Sequence, residues 1–449
     1  MSSCSIDELE APCIEIKTWV KKKRAVLPAS STPTHSLYLS NLDDMIGTRF
    51  LTPTIYFYSR KDPLPHGGLG AGKVMRRALS QVLVPYYPLA GRLRDVGGGK
   101  LEVACTAAGA FFVEATTDLA LEDLGSLAMP NPSWKPFVYC FPGEEHLTIL
   151  DLPLLIAQVT YFKCGGFALG LRICHCICDG MGAMQFMNAW AEMVRGATFI
   201  SINPCWEREK LKPRSPPLTQ FKHMEFENIE DNSNLIALIS KPQLVQKGFC
   251  FNHKFQASLK EQVFVESGMR CTTFEVMAAH VWRSWVRALQ ITPRDQEMRL
   301  TFATNGRSVL KSPIKEGFYG NFIGVACAMS TINELTTKPL SEIVHLVQMA
   351  RKSISEEYIR STIDYLEVKK PTKLEFSGKL GITHWTRFSL YETDFGWGIP
   401  IYAGPIDLSP FPQLCLFLPH HKESGSIIVC ICLPLSSISS FKFFLMKKD

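Results

Sequence analysis

The stretch Leu171-Arg172-Ile173-Cys174-His175-Cys176-Ile177-Cys178-Asp179-Gly180 sets a histidine four residues before an aspartate, with glycine next. Residues 156–171 (IAQVTYFKCGGFALGL), just before it, read as two β-strands joined at Gly165-Gly166. After it, Met184, Met187, Trp190 and Val194 recur at helical spacing over residues 181–194. His175 therefore ends a strand, and Asp179-Gly180 turns the chain into a helix. A strand continuing to Asp179 puts His175 on the face of Ile173 and Ile177, with the three cysteines on the other. A histidine at the end of a buried strand is placed for general-base work, since an unperturbed imidazole has a pKa of about 6.5. By itself the pattern is more often that of a satisfied core histidine.

Working outward, the 449 residues provide volume for two or three domains. The apolar share of 46% and charged share of 20% are those of a globular protein with a large core. A net charge of +6 is too small to imply nucleic acid but mildly favours an anionic ligand. Residues 1–28 carry Asp7, Glu8, Glu10 and Glu15 and no apolar run, so no signal peptide is expected. No apolar run reaches the roughly 20 residues that span a bilayer; Asp151 and Pro153 interrupt the best one. The 15 cysteines are then expected as free, buried thiols in a reducing, cytoplasmic setting. Lys21-Lys22-Lys23-Arg24 reads as a solvated turn.

Periodicity predicts an extended arm over 26–43, a strand over 50–58 and an amphipathic helix over 73–84. Leu101–Val103 and Ala110–Glu114 read as paired strands across a short turn. Residues 199–235, with Pro204, Pro213, Pro216 and Pro217, read as a linker between two halves. Helices are expected over 257–268, 272–289 (capped by Thr272 or Thr273) and 341–358. Strands are expected over 298–304, 381–385, 413–418 and 426–433. Alternating helix and strand patterns without repeats indicate a mixed α/β architecture.

Several decoys fall to chemistry. Gly67-Gly68-Leu69-Gly70-Ala71-Gly72-Lys73 has the spacing of a phosphate loop, but Val74 replaces the metal-binding hydroxyl and no buried strand precedes it. It reads as a surface loop. His66-Gly67-Gly68 hints at an oxyanion loop, but no Gly-x-Ser-x-Gly accompanies it. Cys174, Cys176 and Cys178 suggest zinc, but thiolates must converge at about 2.3 Å on one ion. Residues i, i+2 and i+4 of a strand spread over more than roughly ten ångströms, and the chain has no Cys-x-x-Cys. No metal is expected, and no Cys–His nucleophile either.

His175-x-x-x-Asp179-Gly180, followed far downstream by Asp394-Phe395-Gly396-Trp397-Gly398, resembles the BAHD family of acyl-CoA-dependent acyltransferases. Further pieces resemble it too: Leu39-Ser40-Asn41-Leu42-Asp43, Tyr87-Pro88-Leu89-Ala90-Gly91-Arg92-Leu93, Pro204-Cys205-Trp206-Glu207-Arg208 and Gly317-Phe318-Tyr319-Gly320-Asn321. The resemblance runs from about Val26 to the final strands. It implies two similar-sized domains of mixed β-sheet flanked by helices, residues 1–200 and 236–449 joined by a 201–235 crossover. The active-site channel would lie at their interface, with the CoA thioester and the acceptor entering from opposite sides. It implies His175 as general base on an acceptor hydroxyl or amine, with no resident cofactor and acyl-CoA as co-substrate. Asp179 would face away and pair with Arg307, although Asn305 stands where the family usually has aspartate. Asp394, Gly396, Trp397 and Gly398 would be structural in the second domain, and Gly180 structural at the site; Thr383 and Trp385 are candidate channel residues. The chain is expected to act as a monomer. Two alternatives accompany the O-acyltransferase: an amide-forming member, and a non-catalytic partner in wax or fatty-acid elongation.

Overall fold

β-Branched and aromatic runs form three sheets in the computed structural model, which describes residues 6–61, 70–240, 244–374 and 376–447. The first sheet has six strands in the order 402–405, 51–58, 167–174, 155–161, 110–116, 19–26. The second has seven: 7–9, 244–251, 427–434, 414–419, 379–384, 297–305, 323–331. A small third sheet joins 36–38, 101–104 and 92–95. Both large sheets mix parallel and antiparallel pairs.

Each half of the chain supplies most of one large sheet, and two strands cross over. Asp7–Leu9 pairs with 248–250 in the second sheet. Tyr402–Pro405 pairs with 54–57 in the first. A cut through 201–235 therefore leaves one strand of each half in the other's sheet. Alternation along Ile427–Pro434 explains the joint. Ile428, Cys430 and Cys432 pack into the core shared with the first sheet, while Val429, Ile431 and Leu433 pack against the helices of the second half.

Local signals set the helix ends. Thr272 caps Thr273–Leu289 in a capping box: Glu275 N donates to Thr272 Oγ1 at 3.3 Å and Thr272 N to Glu275 Oε2 at 2.8 Å. Trp282 and Trp285 on this helix are wholly buried. The helix expected over 73–84 runs Ala71–Val82 and buries Met75, Ala78, Leu79 and Val82. Lys73 lies inside it, so the phosphate-loop look-alike ends in a helix; its residues 67–69 and His66 lie outside the described residues.

Three expectations of local structure fail. Lys21-Lys22-Lys23-Arg24, read as a turn, lies inside the strand Trp19–Val26 and pairs with 110–116, its side chains exposed. The helix expected over 341–358 is two, Leu340–Lys352 and Glu356–Lys369. Ser355 starts the second by accepting from Tyr358 N at 3.1 Å, with Glu356 and Glu357 in its first turn. Leu101–Ala104 and Ala110–Thr116 do not pair, because the first joins the small sheet and the second joins 19–26 and 155–161.

Candidate active site

The strand Phe167–Cys174 stops one residue before the histidine. His175, Cys176 and Ile177 form a turn, closed by Ile177 N donating to Cys174 O at 3.0 Å. Strict alternation therefore ends at Cys174, and the three cysteines do not share a strand face; all three are buried. His175 N donates to Phe50 O at 2.9 Å, and the two rings pack at 5.6 Å. Cys176 Sγ contacts Thr48 O at 3.4 Å. Its thiol is pushed well above the ordinary range by the neighbouring Cys174 thiol and by burial, and burial also raises Cys178. Thiols held protonated are poor nucleophiles and poor metal ligands. Among the described residues no three His, Cys, Asp or Glu side chains cluster as a metal site.

Asp179 caps the helix Gly180–Val194 by accepting from Gly182 N at 3.0 Å. Arg307 donates to it twice, Nη1 to Oδ2 at 2.7 Å and Nη2 to Oδ1 at 3.0 Å. Phe322 N also donates to Asp179 Oδ2, at 3.2 Å. Gly180 leaves room for a ring: a Cβ there would stand 2.3 Å from Phe388.

His175 lines a cavity of about 850 Å³ walled by both halves, from Thr48 and Phe50 on one side to Val325, Leu374 and Phe411 on the other. Among the described residues its Nδ1 is buried without a hydrogen-bond partner, which leaves Nε2 as the open nitrogen. The cavity's carboxylates are engaged. Burial raises Asp44, but Arg49 at 2.8 Å and Lys100 at 3.4 Å hold it. Glu225 accepts from Tyr358 at 2.7 Å, and Glu367 from Asn41 at 2.9 Å. Lys212, Lys370 and Lys373 also line it and have no acidic partner among the described residues.

Thr383 and Trp385 are not among the cavity's lining residues, although Lys379 and Gly381 of the same strand are. Trp385 Nε1 donates to Thr383 Oγ1 at 3.1 Å, and its ring packs on Phe388 at 5.8 Å. Asp394, Gly396, Trp397 and Gly398 also lie outside it. Asp394 Oδ1 accepts from Gly396 N at 2.6 Å and Gly398 N at 2.9 Å, and both glycines have positive φ, 93° and 88°. Phe395 packs between Tyr58 and Trp190, and Trp397 edges onto Phe167. The segment, expected to serve the second domain, is thus fastened to the first sheet and leads into its edge strand at Tyr402.

Sequence reading gave no role to Asp43, Arg208 or Asn321, although each lies in a stretch it singled out. Asp43 Oδ1 accepts from Asn321 N at 2.8 Å, and its Oδ2 from Arg208 Nε at 3.1 Å. Asn321 Nδ2 donates to His175 O at 2.7 Å. The bonded partners lie up to 278 residues apart, so only the fold unites them.

A family model described as the Transferase family matches residues 16–444. The chain is 39% identical over 434 residues to omega-hydroxypalmitate O-feruloyl transferase of Arabidopsis thaliana, covering 96% of this chain and 93% of that one. It is 38% identical to fatty alcohol:caffeoyl-CoA acyltransferase of the same plant, covering 94% and 97%. Vinorine synthase shares the fold, with a TM-score of 0.72 at 21% identity over 94% of this chain and 96% of that one. The chain belongs to this family of plant BAHD acyltransferases, and with it to the acyl-CoA-dependent O-acyltransferases.

Proposed function

We propose that the protein transfers an acyl group from an acyl-CoA thioester to a hydroxyl of a small alcohol, in a ternary complex with no covalent acyl-enzyme. The observation that carries this reading is His175 itself. Among the described residues it is the one histidine that lines the cavity, its Nε2 is open, and no cysteine or serine lines the cavity beside it to act as a nucleophile. A thioester is already activated, so a base suffices. His175 takes the proton of the acceptor hydroxyl as its oxygen bonds to the thioester carbonyl carbon. The tetrahedral oxyanion collapses, the C–S bond breaks, and the imidazolium returns the proton to the departing thiolate. The uncompensated Lys212, Lys370 and Lys373 suit the phosphates of coenzyme A.

An oxygen acceptor is favoured over an amine because both plant relatives are named for acyl transfer to hydroxyl-bearing aliphatic compounds. Their donors, feruloyl and caffeoyl groups, head the panel to be tried. On this reading the enzyme is a cytoplasmic monomer; among the described residues no helix is long and apolar enough to cross a membrane. The test is product mass spectrometry with a panel of acyl-CoAs and alcohols, for the wild type and His175→Ala. Turnover should fall roughly 10²–10⁴-fold in the variant. Near-normal turnover removes the base, and no product from any pair favours a non-catalytic partner.

A further inference from the structure

Among the described residues, His175 has no side-chain partner of the kind that usually orients a catalytic imidazole. A base histidine ordinarily has its second nitrogen held by a carboxylate or carbonyl, yet His175 Nδ1 is buried with none. Its ring orientation therefore rests on packing against Phe50 and on where the main chain sets its Cα. Besides the local bond from Ile177 N to Cys174 O, the hydrogen bonds that fix this main chain come from distant parts of the chain and converge from both halves.

The hub is Asp43. Asp43, Arg208 and Asn321 are wholly buried. Asp43 Oδ1 accepts from Asn321 N at 2.8 Å and Nδ2 at 3.0 Å. Its Oδ2 accepts from Ser40 Oγ at 2.6 Å, Ser40 N at 3.1 Å and Arg208 Nε at 3.1 Å. Two arms leave the hub. Asn321 Nδ2 donates to His175 O at 2.7 Å, and Arg208 Nη2 donates to Ile177 O. The Asn321 amide has one sensible orientation, because flipping it would set Oδ1 against two acceptors. The Arg208 guanidinium lies 3.5 Å over the Trp206 ring, and a side chain at Gly320 would stand 2.8 Å from it. The two arms thus grip the carbonyls at each end of the turn that bears the base.

We infer that Asn321 and Arg208, joined through Asp43, are positioning residues that hold the imidazole of His175 in its reactive orientation. The inference rests on His175 being the base. Misplacing a reacting group by about an ångström costs on the order of 10²-fold in rate, so loosening one arm should act on turnover rather than on substrate binding.

The experiment compares Asn321→Ala in the wild-type and His175→Ala backgrounds, with rates corrected for folded protein by thermal melts. In the wild-type background, kcat should fall roughly ten- to hundredfold, with KM for acyl-CoA and alcohol within about twofold. In the His175→Ala background the same change should cost nothing further, because a group acting only through the base has no effect once the base is gone. Arg208→Lys keeps a cation for Asp43 but gives up the arm to Ile177 O; it should behave alike and carries the comparison if Asn321→Ala does not fold. An equal loss in both backgrounds, or no loss per folded molecule, overturns the inference and leaves the cluster as architecture. Near-wild-type turnover by His175→Ala alone brings down the base reading and this inference with it.

Discussion

Arg307 meets Asp179 in a two-pronged pair, Nη1 at 2.7 Å from Oδ2 and Nη2 at 3.0 Å from Oδ1, across 128 residues of sequence. Arg307 also donates to Gly320 O at 2.9 Å, and Asp179 accepts from Phe322 N at 3.2 Å. Between these anchors, Asn321 N is held by Asp43. Of three consecutive residues of the second half, Phe322 is thus tied to the helix start of the first directly, Gly320 through Arg307, and Asn321 to Asp43.

Removing either partner of this pair should injure the fold. An uncompensated charge left in a largely buried site costs about 3–5 kcal/mol, a large share of the roughly 5–15 kcal/mol by which a domain is stable. Asp179→Ala should be the worse, because it also strips the cap from the Gly180–Val194 helix, worth about 0.5–2 kcal/mol. The double variant should be less damaged than the sum of the singles. Thermal melts of the four proteins decide it. Simple additivity removes Arg307 as the partner that matters, and a wild-type melt with lost activity makes Asp179 part of the chemistry.

Phe395 should be a stability residue. It is wholly buried against Trp190, with ring centres 5.3 Å apart, and Tyr58 fastens the preceding segment by donating to Thr393 O at 2.9 Å. Truncating a buried phenylalanine costs about 3–5 kcal/mol. Phe395→Ala should therefore lower the melting temperature and soluble yield, while the KM values of the protein that folds stay as they were. A raised KM for either substrate with an unchanged melt would put this segment in the channel.

Much of this was legible in the sequence, and the failures have physical reasons. His175 and the start of the Gly180 helix stood out because strand and helix periods meet there. The break at Ser353–Ser355 was overrun because apolar residues keep helical spacing across it, although Ser355-Glu356-Glu357 is a helix-start signal. Docking of Asp394–Gly398 on the first sheet depends on contacts with Tyr58, Phe167 and Trp190, which no local pattern announces. Asp43 and Asn321 sat in quoted stretches, but their partners are set by tertiary structure alone.

A pH dependence should trace to His384. Burial, and then the Arg387 charge, lower its pKa from 6.5 to about 4. Its ring packs on Phe274 at 5.0 Å. Between pH 6.5 and about 4 the unfolded chain binds the proton and the folded one does not. Stability therefore rises with pH across this window and is lost as pH falls through it. Melting temperatures of the wild type should drop over that range more steeply than those of His384→Gln. Parallel curves for the two proteins would show that His384 is not the group responsible.

The cysteines around the base should prove inert. Zinc needs deprotonated thiols converging at about 2.3 Å, whereas the Cys174 neighbour and then burial raise the Cys176 thiol well above the ordinary range, and burial raises Cys178. Cys176 Sγ already has a role as a contact to Thr48 O at 3.4 Å, behind the turn rather than in the cavity. Activity should survive exhaustive chelation, and metal analysis of the active enzyme should find zinc far below one per chain. Iodoacetamide should likewise leave the native enzyme's turnover intact at neutral pH, since the thiolate is the attacking species. Loss of activity on chelation, restored by added zinc, would make Cys174, Cys176 and Cys178 a metal site after all and would require the turn to rearrange around it.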